Sequence, residues 1–141
     1  MFSKIFKRKK TKNKNNKDIL VPALLIHAAK IDEKYTNDEK EIIKKAIMDL
    51  NSISEIQAEE ILIRAEKKEE ESNQIVEFTK EIKNNPMEFR HKIIEILWKI
   101  VYSDGTSDNF ESNLIRRVCG LLYVPDRDSG MIKIKVKNSL K

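Results

Sequence analysis

Cysteine is almost absent from this chain. Cys119 is the only one in 141 residues, which excludes an intramolecular disulfide framework and a cysteine zinc cluster and suits a reducing compartment. Glycine and proline number three each, too few for the turns of a sheet protein, so the chain is expected to be all-helical. Long apolar runs are missing as well. Stretches such as Ile19–Ile26 stop far short of the ~18–20 residues that cross a bilayer, and the N-terminus has no apolar signal-peptide core. A cytoplasmic protein is expected, attached to a membrane at most at its surface. There is no glycine-rich phosphate loop, no nucleophile signature and no histidine pair at metal spacing. No enzyme and no small-molecule substrate are therefore predicted.

Charge is abundant but unevenly placed. Of the formal +5, residues 1–17 supply +8, through Lys4, Lys7, Arg8, Lys9, Lys10, Lys12, Lys14 and Lys17 without one acid, so the remainder carries −3. A folded nucleic-acid-binding domain would show its basic face on the ordered part, so no specific nucleic-acid partner is expected. Residues 1–17 read as a disordered basic tail that no packed core can include, and residues 18–141 as one helical domain. With Phe2, Ile5 and Phe6 among its first lysines, the tail has the composition of an anionic-surface contact at the inner membrane face. Lys4, Lys7, Arg8, Lys9 and Lys10 are its charges, each worth about 1 kcal/mol near anionic lipid.

Along the domain, apolar residues recur at helical spacing. A first helix is expected from an Asp18 cap to about Ile31, apolar over most of its circumference and hence central. Thr36 with Glu39, and Ser54 with Gln57, read as capping boxes opening two further helices. Glu66–Glu71 reads as a solvated helix end. Ile75, Phe78, Thr79 and Ile82 are expected inward on a restarted helix. Asn85-Pro86-Met87-Glu88 combines a cap, a first-turn proline and a third-position glutamate, opening the most apolar helix of the chain. His27 stands alone, and His91 and Glu95, four apart, suggest a helical ion pair more than a shared metal. Cys119 falls beside a core face. After Pro125, Lys133, Lys135 and Lys137 alternate with Ile132, Ile134 and Val136, a strand-like pattern. A helix is nevertheless expected, because no partner strand is visible elsewhere.

One acidic stretch stands out, Tyr102 to Glu111, with Asp104, Gly105, Asp108 and Glu111 between two apolar segments. A shift of 72 residues brings Leu25, Ala29, Asp32, Glu39, Ile43, Ala46 and Leu50 onto Leu97, Val101, Asp104, Glu111, Ile115, Val118 and Leu122. The chain thus reads as two pseudo-repeated helix–acidic turn–helix units. Asp104, Asp108 and Glu111 in the second turn, and Asp32 and Glu39 in the first, are candidate ligands of a divalent cation, calcium or magnesium. The spacing is not that of an EF-hand, and such cations take six or more oxygens. The same residues also serve as caps, worth about 1 kcal/mol each, and the capping reading is the simpler.

Ala28-Ala29-Lys30-Ile31-Asp32 with Glu39, Tyr102-Ser103-Asp104-Gly105 with Asp108 and Glu111, and Ile115-Arg116-Arg117-Val118 with Leu121-Leu122 together resemble the TerB-like family. Val124-Pro125-Asp126-Arg127-Asp128 extends the likeness, which covers about Leu20 to Asp128. These are small helical tellurite-resistance domains, also found as the N-terminal domain of the membrane-anchored co-chaperone DjlA. The resemblance implies an all-helical bundle of about seven helices acting with protein partners in a bacterial stress-response assembly. It also implies a cation at the acidic turns and no enzymatic reaction. The first turn departs from the family pattern at Glu33 and Thr36, and the His-Pro-Asp tripeptide of a J-domain is absent.

Overall fold

In a computed structural model of the chain, residues 19–30, 35–72, 74–104 and 109–139 are described. Seven α-helices account for most of them: α1 Leu20–Ala29, α2 Asn37–Asn51, α3 Glu55–Glu71, α4 Ile75–Thr79, α5 Met87–Val101, α6 Asn109–Leu121 and α7 Asp126–Ser139. Short 3-10 turns follow α4 at Ile82–Asn84 and α5 at Tyr102–Asp104. No strand occurs among the described residues. The alternating lysines of the last segment therefore sit on a helix. Of its apolar residues Val136 is buried and Ile132 half-buried, four apart on one face, while Ile134 is exposed.

The helix without a polar face lies at the centre, as its composition requires. Ala23, Leu24, Leu25, Ile26 and Ala29 of α1 are fully buried, and α1 packs against α2, α3, α4 and α5. α5 is the second hub. It carries Ile93, Ile94, Leu97 and Ile100 into the core and joins α1 and α2 to α6 and α7. The expected inward residues Ile75, Phe78, Thr79 and Ile82 are all buried, as are Leu114, Ile115, Val118 and Cys119 of α6 and Leu122 just after it.

Local chemistry sets most of the boundaries. Both capping boxes form: Thr36 Oγ1 accepts from the Glu39 amide at 3.1 Å while Glu39 Oε1 accepts from the Thr36 amide at 2.9 Å, and Ser54 with Gln57 repeats the exchange. Two boundaries differ from expectation. α1 begins at Leu20 with no side-chain cap and ends at Ala29, and Asp18 lies outside the described residues. Pro22 is the third residue of α1, where its missing N–H leaves no bond unmade. α5 begins one residue later than read, at Met87, with Pro86 before it. Asn85 turns backwards instead, its amide donating to the Ile82 carbonyl at 3.1 Å, so it closes the preceding turn rather than opening the helix.

α1 and α5 end at Ala29 and Val101, and α2 and α6 begin at Asn37 and Asn109. Each pair stands 72 residues apart, the offset at which the sequence patterns coincide.

Candidate functional site

The two acidic turns join α1 to α2 and α5 to α6. Of the candidate ligands, Asp32 and Asp108 lie outside the described residues, as does Gly105. Asp104 ends the 3-10 turn after α5, and Glu111 is the third residue of α6. Glu39 is the one whose side chain is placed. It is buried at 4% exposure, and its Oε1 accepts from both the amide and the hydroxyl of Thr36, at 2.9 and 3.1 Å. That oxygen is occupied in starting α2. Among the described residues no three His, Cys, Asp or Glu side chains gather as a metal-holding group. Lys4, Lys7, Arg8, Lys9 and Lys10 also fall outside the described residues.

Close to the first turn the fold assembles a polar cluster that the sequence reading missed. Glu69, near the end of α3, is not solvated: its side chain is 7% exposed. Oε1 accepts from the Lys30 ammonium at 2.8 Å, and Oε2 lies 3.2 Å from His27 Nδ1. Burial pushes the Glu69 carboxyl up, but Lys30 and His27 outweigh that and hold it below the usual carboxylate range. The signal was in the register. Ile61, Ala65 and Glu69 fall on one helical row, so the glutamate continues the buried stripe of α3 by one turn. His27 is thereby accounted for as the partner of a buried carboxylate.

Tyr35 completes the cluster. Lys40 stands over its ring at 4.9 Å and reaches Glu66 at 3.6 Å. The Tyr35 hydroxyl is buried and faces the Glu66 carboxylate without hydrogen-bond geometry. Burial, followed by the negative charges of Glu66, Glu39 and Glu69, pushes its pKa up above the ordinary phenol range. The phenol stays protonated, so it cannot serve as a general base near neutral pH.

A second polar seam ties α7 to α5. His91 does not pair with Glu95: its Nε2 lies 3.0 Å from Asp128 Oδ2, and Glu95 takes Lys135 at 3.4 Å. The Trp98 indole N–H donates to the Ser129 hydroxyl at 3.2 Å, buried on both sides. Arg90 donates to the Leu122 carbonyl at 2.8 Å, meeting an acceptor left over at the end of α6. Cys119, 1% exposed, has its thiol pushed up by burial, which makes it a core residue rather than a nucleophile.

Two open grooves mark the surface. One, of about 420 Å³, lies at the start of α1 between Leu20, Pro22, Leu50, Glu81 and Phe89. The other, of about 290 Å³, runs between α2 and α5. Among the described residues no helix is long and apolar enough to cross a membrane.

No curated protein and no solved structure matches the chain. A family model does: it is described as tellurite resistance protein TerB and matches residues 18–134. That span holds both acidic turns, the buried cluster and all but the last turn of α7, and with most of its length so matched the chain belongs to the TerB family.

Proposed function

We propose that this protein is a non-enzymatic interaction module of bacterial stress response, of the tellurite-resistance type, working in the cytoplasm at the inner face of the membrane. Its helical body engages a protein partner, and its basic tail holds it against an anionic surface. The observation that carries the reading is family membership over residues 18–134 combined with the division of charge: +8 in residues 1–17 and −3 in the rest. A tail of that density is drawn to anionic lipid at about 1 kcal/mol per cation, while an acidic body is kept off it. The two related helix–turn–helix units are taken to descend from one repeated element, with their turns on the same chain offset.

The test is genetic. Deleting the gene from its host is expected to increase sensitivity to tellurite, with tolerance restored by the full chain and only partly by residues 18–141. Unchanged tolerance in the deletion strain would count against the stress role.

A second reading rests on the second turn, which keeps Asp104, Gly105, Asp108 and Glu111 together. Here the module holds a divalent cation, calcium or magnesium, with Asp104, Asp108 and Glu111 as ligands and the remaining oxygens from backbone and water. Asp32 and Glu39 make the weaker copy. Calorimetric titration of the full chain with calcium or magnesium is expected to give heat and a raised melting temperature, both lost in Asp104→Asn. Absence of both in the unaltered protein would sink this reading.

A further inference from the structure

The groove between α2 and α5 has an apolar floor and a basic rim. Ile42, Ala46 and Leu50 from α2 meet Ile96 from α5 along the floor. Lys45, Lys92 and Lys99 stand around it, exposed to solvent and without an ion pair among the described residues. Two acids also line the groove, but Glu95 is already taken by Lys135, which leaves Asp49 against three lysines. The groove therefore offers surplus positive charge over an apolar surface, although the body as a whole is acidic.

The outer face of α3 has the complementary pattern. Ile56 and Ile63 are 77% and 61% exposed. Between them Glu59 and Glu60 are exposed and make no ion pair among the described residues. Positions 56, 59, 60 and 63 form one helical stripe, turned away from Ala58, Ile61, Leu62 and Ala65, which enter the core. Leaving an isoleucine in water forgoes about 1.5–3 kcal/mol of burial. Two of them flanking unpaired acids make an amphipathic helix face of the kind that lies in apolar grooves.

We propose that α3 of one copy lies in the α2–α5 groove of a second copy, so that the protein self-associates. Ile56 and Ile63 cover the floor, and Glu59 and Glu60 meet Lys92 and Lys99. The chain's own tail is excluded as occupant because it carries eight cations and no acid and would be repelled by the lysine rim. The two surfaces are unlike, so the contact closes as a dimer when exchanged reciprocally and propagates when it is not. Because its charges remain near solvent, it weakens with added salt.

Sedimentation of the full chain over a wide concentration range tests this. The mass is expected to rise above that of the monomer with concentration. The pairs Glu59→Lys with Glu60→Lys, and Lys92→Glu with Lys99→Glu, are each expected to weaken association about tenfold or more, and all four changes in one chain to restore it. The four positions are exposed, so helicity by circular dichroism should not change. A monomeric mass throughout would overturn the proposal and leave the groove to another occupant. Association indifferent to either reversal, or not restored by combining them, would overturn it equally.

Discussion

At the scale of single residues, Glu69 is the side chain whose role differs most from its surroundings. It stands in a run of charge that composition alone assigns to solvent, yet its neighbours at helical spacing are Ala65 and Ile61, and tertiary packing carries it inward with them. Period was the better guide than composition at this position. Its partners could not be read, because His27 lies on α1 and Lys30 just after it, 42 and 39 residues away, and only packing brings them together. Glu69→Gln keeps the shape but loses the charge-assisted bonds, and is expected to cost about 2 kcal/mol in chemical unfolding near neutral pH. The sign of the pH dependence follows from the lowered folded-state value. The contribution is fully present above the ordinary glutamate value of about 4.3 and is lost as pH falls through the lower folded value. The stability gap between the natural protein and Glu69→Gln should therefore narrow on acidification below about pH 4. A gap independent of pH would show that the carboxylate charge is not what Glu69 contributes.

At the scale of elements, the sequence was most legible where a side chain directly satisfies the backbone. Thr36 with Glu39 and Ser54 with Gln57 form the boxes their spacing implies. An asparagine before a proline can serve either the helix ahead or the turn behind, and Asn85 serves the turn. The end of α6 was legible only as a stop ahead of Pro125, not in its geometry. Its chain reverses through Tyr123 at φ 56°, with the Val124 amide donating to the Cys119 carbonyl at 2.8 Å and the Tyr123 amide to that of Gly120 at 3.4 Å. This is a Schellman closure at a position where glycine is usual and tyrosine is strained. Tyr123 is 67% exposed, so little packing opposes a change. Tyr123→Gly is expected to raise stability by about 1 kcal/mol, seen as a higher melting temperature; a lower one would mean that the ring contributes more than its backbone costs.

At the scale of the whole molecule, one apolar helix at the centre and a second as hub organise the bundle. The first was legible because a helix apolar all round has nowhere else to go; α5 keeps a charged face with Lys92 and Lys99 exposed, and only its apolar face was legible. Fold class followed from scarcity of glycine, proline and alternation, and the last helix emerged despite its strand-like lysines because among the described residues no strand exists to pair with it. The candidate site was less legible, since acidic caps and acidic ligands use the same residues at the same spacing. What distinguishes the molecule as a whole is the division of its charge, +8 in residues 1–17 and −3 in the rest, on which the proposed function rests. Its most direct test is cosedimentation of the full chain with vesicles of anionic and of neutral phospholipid at physiological salt. Binding to the anionic vesicles alone is expected, abolished by removing residues 1–17 or by changing Lys4, Lys7, Arg8, Lys9 and Lys10 to glutamine. Equal binding with and without the tail, or no binding by the full chain, would contradict it.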